Sequence, residues 1–306
     1  MCFIVVLLLL FAPPTGHAQE GEFVFKADVS RVRVDVQVLS DGSIVTDLTE
    51  KDFHVFDRNV PQQILTVDRA SEPLSLLLLL DISGSMTDYI QQVADVAQES
   101  LKHLRKGDRV SVMIFARSTR VRLPFTDDFS AVERELRDAV RDESVGSATE
   151  INRSIVAAAK YLDESAEAGR KAILILTDNK GLNYQAPDDE AIRELFGADA
   201  VLNALVVGRT ERPAPIKPGH YVNPDFSHPD VFRIADETGG EAVPVKQAGQ
   251  EFPRMIERIR NRYGIQYRTP IPTQKGFREI RVELGPDAKL RYPKALLRYR
   301  KGYYVK

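Results

Sequence analysis

The chain has 306 residues, of which 43% are hydrophobic and 28% charged, and its formal net charge at pH 7 is −2. That balance describes a globular protein with a sizeable core and excludes an intrinsically disordered chain. It also excludes a general electrostatic attraction for nucleic acid or for an anionic membrane.

Residues 3–12 form a nearly pure apolar run. Pro13-Pro14 break it, and Gly16-His17-Ala18 present small residues at the positions a signal peptidase reads. The run is shorter than the roughly 20 apolar residues that span a bilayer. Residues 1–18 are therefore expected to be a signal peptide, although no basic stretch precedes the run. The mature chain is expected to be secreted or periplasmic, with no stable membrane span. Cys2 is the lone cysteine, so after cleavage neither disulfides nor thiolates would support the fold.

From residue 22 to residue 70 the pattern has period two, with Val29, Val32, Val34 and Val36 separated by polar neighbours. Asp41-Gly42 and Asp57-Arg58-Asn59 are the turn signals of hairpins. The spacing predicts a small antiparallel β segment.

Residues 74–261 switch to alternating strands and helices. Residues 76–80 are continuously apolar, as in a strand covered on both faces of a parallel sheet. Helical spacing follows in Ile90, Val93, Ala97, Leu101 and Leu104. Strands are expected at 110–115, 121–125, 172–176, 201–207 and 242–245. Helices are expected through Val132, Leu136 and Val140, over 151–162, around Ile192, and over 231–237, where Gly239 supplies a left-handed cap. A further helix carries Met255, Ile256 and Ile259. This alternation predicts an α/β domain with a doubly wound, mostly parallel, Rossmann-like sheet.

The β pattern returns over 262–306, in strands at 264–267, 280–284 and 296–305. Neither terminal β segment has enough strands to stand alone. The expected solution is that 262–306 pairs with 22–70 in one β-sandwich-like unit flanking the α/β domain. Residues 209–229 are rich in proline and read as an exposed loop.

Ligands of open α/β sheets bind beyond the carboxyl ends of the strands. Three sequence features fall at such ends: Asp81-Ile82-Ser83-Gly84-Ser85, the turn Gly146-Ser147-Ala148-Thr149-Glu150, and Thr177-Asp178. Small side chains at alternate loop positions let Ser83 and Ser85 face one point. Hydroxyls plus two carboxylates suit a hard divalent cation that keeps several waters.

Together these features resemble the metal-ion-dependent adhesion site of von Willebrand factor A (VWFA) domains. The resemblance implies direct metal contacts from Ser83, Ser85 and Thr149, and direct or water-mediated ones from Asp81 and Asp178. It implies Mg²⁺ as the cofactor, with Mn²⁺ or Ca²⁺ as alternatives. It also implies a coordination position left for an acidic side chain of another protein. Asn179 stands where the family usually has Gly, and Asn tolerates the left-handed conformation. The flanks Asp47-Leu-Thr-Glu-Lys-Asp52-Phe53, Tyr263-Gly-Ile-Gln-Tyr267 and Arg300-Lys-Gly-Tyr303-Tyr304 are similar to exported VWFA-related proteins of the acidobacterial type.

The alternative reading is a metal-dependent, phosphatase-like hydrolase. A haloacid-dehalogenase-type enzyme needs a second Asp two residues after the first, and Ser83 stands there. The sequence has no HExxH, no phosphate-cradling glycine loop and no Gly-x-Ser-x-Gly elbow. His220 and His228 lie in the Pro-rich stretch and are expected to be solvated. Tyr292, Tyr299, Tyr303 and Tyr304 are expected to cover a sheet surface rather than bind a polyanion. The expected function is an exported metal-dependent protein-binding module, in adhesion or assembly, with no enzymatic activity.

Overall fold

The computed structural model describes residues 29–69, 71–142, 144–146, 148–181, 186–208, 228–270 and 275–305. The expected signal segment, Ser147, His220 and nearly all of the Pro-rich stretch lie outside the described residues. Among the described residues no helix is long and apolar enough to cross a membrane.

The N-terminal alternation folds into β1 (Val29–Ser40), β2 (Ser43–Ile44), β3 (Phe53–Asp57) and β4 (Val60–Arg69). Asp41 and Gly42 have φ of +48° and +81°, and Arg58 and Asn59 have +50° and +63°. Two successive left-handed residues are what a two-residue hairpin between right-twisted strands requires.

The α/β unit follows as β5 (Leu74–Asp81), α1 (Thr87–Leu101), β6 (Arg109–Phe115), β7 (Thr119–Thr126), α2 (Phe129–Ala139) and α3 (Ile151–Ser165). It continues through β8 (Arg170–Thr177), α4 (Asp188–Gly197), β9 (Ala200–Val207), α5 (Val231–Thr238), β10 (Ala242–Val245) and α6 (Ala248–Arg260). The sheet order is β10-β9-β8-β5-β6-β7, parallel except for the edge strand β7. Because side chains alternate along a strand, Leu74, Leu76, Leu78 and Leu80 join the core against α1, α2 and α6. Leu77 and Leu79 join the opposite core against α3, α4 and α5. Every residue of β5 is buried, which explains its unbroken apolar pattern. The chain moves from β5 to one side and then returns to the other, so β5 and β8 flank the point where strand order reverses.

The C-terminal segment forms β11 (Tyr263–Pro270), β12 (Gly276–Leu284), α7 (Pro286–Arg291), β13 (Leu296–Arg298) and β14 (Gly302–Val305). It shares one eight-stranded antiparallel sheet with the N-terminal strands, in the order β13-β1-β11-β4-β3-β12-β14, with β2 on β1. The expected strand at 296–305 is thus two strands at opposite ends of that order. Three residues join them, a span of at most about 14 Å. The sheet therefore curls until its edges nearly meet around one core of Val34, Val36, Val55, Tyr263, Ile265, Tyr267 and Val282. A single curled sheet stands where two stacked sheets were expected, because this short link draws the two edges together.

Buried Asp57 lies in this core. It accepts hydrogen bonds from Tyr267 Oη (3.1 Å), Tyr303 Oη (2.8 Å) and Arg278 Nε (2.9 Å). Tyr292, Tyr299 and Tyr303 pack half-buried on the curled sheet, and Tyr304 meets Phe196 of α4 and Phe277.

A charged seam joins the two units. Arg170, at the start of β8, donates from Nε to Asp35 of β1 (3.1 Å) and from Nη1 and Nη2 to the carbonyls of Arg260 (2.8 Å) and Ile259 (2.7 Å). Arg33 pairs with the same carboxylate at 2.7 Å. Burial alone would raise the Asp35 pKa, but Arg170, Arg33 and Arg262 together outweigh it and hold the group at about 2.

Candidate functional site

The site lies where β5 and β8 end side by side. Leu80 is registered with Leu176, and Asp81 with Phe115 on the other flank. A strand buried on both faces must release its chain at this edge, and the polar loops begin here. After Asp81, Ile82 N–H bonds the Phe115 carbonyl (2.9 Å), and residues 84–86 make a single 3-10 turn into α1. Ser83 and Ser85 are thereby set two residues apart, with their hydroxyl oxygens 3.5 Å from each other.

Asp81 is fully buried. Its Oδ2 accepts from Thr177 Oγ1 (2.8 Å) and its Oδ1 from Ser83 N–H (3.1 Å). Burial pushes its pKa up to about 6, and these hydrogen bonds only partly offset the loss of solvation. Asp178 follows Thr177 beyond the strand. Its Oδ2 accepts from Ser85 Oγ (3.1 Å) and pairs with Lys180 Nζ (3.2 Å), while Oδ1 accepts Lys180 N–H (3.0 Å). Asn179 has φ of +54°, the left-handed conformation its residue type tolerates. It turns the chain so that Asp178 and Lys180 face the Ser85 loop.

Thr149 arrives from the turn before α3. Its carbonyl lies against Gly181, where an added Cβ would sit 2.6 Å from that oxygen. Glu150 N–H bonds the Ala116 carbonyl (2.9 Å), tying this turn to the end of β6. Direct hydrogen bonds therefore connect Asp81 to Ser83 and Ser85 to Asp178, and the two serines adjoin. Thr149 is brought alongside by backbone packing, and among the described residues its side chain bonds none of the other four. His228, read as solvated, is exposed but has Nδ1 3.1 Å from the Gly181 carbonyl.

In the sequence Thr177 stands beside Asp178 with no sign of a role of its own; in the structure its hydroxyl bonds Asp81. Lys180 was missed altogether. A lysine two residues after a strand-end carboxylate is the one signal that could have indicated it.

Two carboxylates and a set of hydroxyls form the donor set. Asp81, Ser83, Ser85 and Asp178 present oxygen donors only, and among the described residues no group of three or more His, Cys, Asp or Glu converges. A hard cation fits: oxygen donors of mixed charge meet at one sheet edge, and Asp178 already attracts an ammonium.

A six-stranded mixed sheet with helices on both faces and a polar site at its switch point defines a doubly wound α/β domain. Residues 76–181 match the model of the von Willebrand factor type A domain family. Among solved structures the chain is similar to an aerotolerance-related membrane protein from Bacteroides fragilis, at 20% identity over 61% of this chain and 98% of that one, with a TM-score of 0.46. It is also similar to a von Willebrand factor type A protein from Catenulispora acidiphila, at 14% identity over 89% and 73% of the two chains and a TM-score of 0.47. A third is the mussel byssus proximal thread matrix protein 1, described with a zinc-occupied metal-ion-dependent adhesion motif. It is 14% identical over 67% of this chain and 49% of that chain, with a TM-score of 0.48. No curated protein matches the sequence.

Proposed function

We propose that the protein is an exported binding module that uses a divalent cation, Mg²⁺ first among candidates, to hold a carboxylate of another protein. Ser83, Ser85 and Thr149 would hold the ion directly, with Asp81 and Asp178 supplying negative charge directly or through water. When bound, the ion supplies a hard Lewis-acid position for an acidic ligand side chain. Residues 74–261 would form the binding unit, and 22–70 with 262–306 the base that carries it.

The observation that carries this reading is the hydrogen-bonded edge linking Asp81, Ser83, Ser85 and Asp178 across β5 and β8. The chain's own residues do the positioning: Thr177 orients Asp81, and the 3-10 turn after Ser83 aims both serine hydroxyls to one side. Hydrolysis would need an activated attacking group as well. The loops that carry the five residues offer carboxylates, hydroxyls and an ion-paired lysine.

The test is capture of envelope proteins by the wild type, by Asp178→Ala, and by the wild type with EDTA, beside a panel of phosphoester and peptide substrates. Capture that needs both metal and Asp178 supports binding. Metal-dependent turnover lost in Asp178→Ala, without a metal-dependent partner, overturns it in favour of the hydrolase.

A further inference from the structure

We infer that the partner segment is doubly acidic, and that its second carboxylate is held by Arg117 in a pocket beside the metal position; this rests on the metal-binding reading above. Arg117 lies two residues beyond Phe115, the residue registered with Asp81. It is exposed, and among the described residues it makes no hydrogen bond or ion pair. It lines an open pocket of about 630 Å³ together with Ser118, Ser144, Gly146, Glu150 and Arg153.

The pocket is built from the same loop that carries Thr149. Ser118 N–H bonds the Val145 carbonyl (3.0 Å) and Glu150 N–H bonds the Ala116 carbonyl (2.9 Å), so the two loops are laced together on either side of Arg117. Gly146 has φ of +81°, and a Cβ there would lie 3.2 Å from Arg117 Cβ. The absent side chain lets the arginine stem rest against the turn, which restricts its freedom before any ligand arrives.

The charges around the pocket select the ligand. Glu150 is already paired with Arg153 at 3.0 Å, and Asp178 with Lys180 at 3.2 Å. Among the described residues Arg117 is the cation on this rim that makes no ion pair. A guanidinium takes a carboxylate in a bidentate fork. A segment that gives one carboxylate to the metal therefore finds a second receptor one strand away.

The test uses two short fluorescein-labelled Gly/Ser peptides, with one glutamate or with two glutamates a few residues apart. Anisotropy is measured with Mg²⁺ or EDTA against the wild type, Arg117→Ala and Arg117→Lys. An exposed ion pair near the upper end of its usual range corresponds to about fivefold in affinity. The wild type should therefore prefer the two-glutamate peptide about fivefold beyond simple multiplicity. Arg117→Ala should lose that preference while binding the one-glutamate peptide unchanged, and Arg117→Lys should restore part of it. A preference that survives in Arg117→Ala, or equal weakening of both peptides, overturns the inference while leaving the metal reading intact. Binding indifferent to EDTA, or none by either peptide, overturns the metal reading and the inference with it.

Discussion

Thr177 Oγ1 donates a 2.8 Å hydrogen bond to Asp81 Oδ2 from the neighbouring strand, and both residues are fully buried. The bond fixes one carboxylate oxygen of a group that burial disfavours as an anion. If a cation completes the site, Thr177 is an outer partner that orients a ligand, and such partners commonly contribute 10- to 100-fold in affinity, as an order of magnitude.

Mg²⁺ at about a hundred times its dissociation constant should therefore stabilise the wild type by about 2.7 kcal/mol. Asp81→Ala should abolish the shift while the fold persists. Thr177→Val, which keeps the shape, should retain the shift but need about tenfold more Mg²⁺. Thermal melts across a Mg²⁺ titration check both. A full shift at wild-type concentrations in Asp81→Ala would remove Asp81 from the site.

Lys180 competes with any cation for Asp178, to which it stands at 3.2 Å. Its side chain is 65% exposed, so the pair is worth at most about 1 kcal/mol. Lys180→Ala should accordingly raise Mg²⁺ affinity by a few fold in calorimetric titration at low ionic strength, and the gain should shrink in high salt. Weaker binding in the variant would mean that Lys180 supports the site instead of masking it.

Asp35 sets an acid limit on the seam. Its folded pKa, about 2, lies below the ordinary 3.8, so the folded state binds this proton less readily than the unfolded one. The stabilisation is complete above about pH 4 and is lost as pH falls towards 2. Asp35→Asn should cost about 3 kcal/mol at pH 7, since Arg170 is left buried without its counter-charge. The gap between variant and wild type should narrow as pH falls below 4. Urea melts at pH 7 and pH 3 decide it; a gap independent of pH would assign the loss to packing.

Gly239 ends α5 with φ of +84°, and a Cβ there would lie 2.2 Å from the backbone of Tyr299 and of Arg300. Gly239→Ala should therefore cost about 3 kcal/mol, through left-handed strain together with displacement of the link between β13 and β14. A conventional capping glycine would cost about 1 kcal/mol, and chemical denaturation distinguishes the two values.

Deleting residues 263–306 removes β11 from between β1 and β4 and β12 from beside β3. The remaining strands would expose open edges and an apolar face, which favours aggregation. Sedimentation of the truncated protein should show association, while residues 74–261 alone should melt cooperatively. A soluble monomer lacking 263–306 would contradict this.

The sequence by itself determined the elements whose patterning is local. The two-faced burial of β5 is written in its run of leucines, the hairpin turns in Asp41-Gly42 and Arg58-Asn59, and the strand-end loop in Asp81 to Ser85. Asn179 was legible as a left-handed residue for the same reason, since the preference belongs to its own backbone. Helix α7 was missed, although Pro286 at its first turn and Asp287 after it are ordinary start signals, because six residues give too short a period to read. Only the tertiary structure decided what depends on distant segments. Residues 296–305 divide between opposite edges of one sheet, Thr177 turns to Asp81, and Arg117 stands beside Gly146 with no ion pair among the described residues. Each of these is fixed by which strands lie side by side, and a pairing between residues a hundred positions apart leaves no periodicity in either partner.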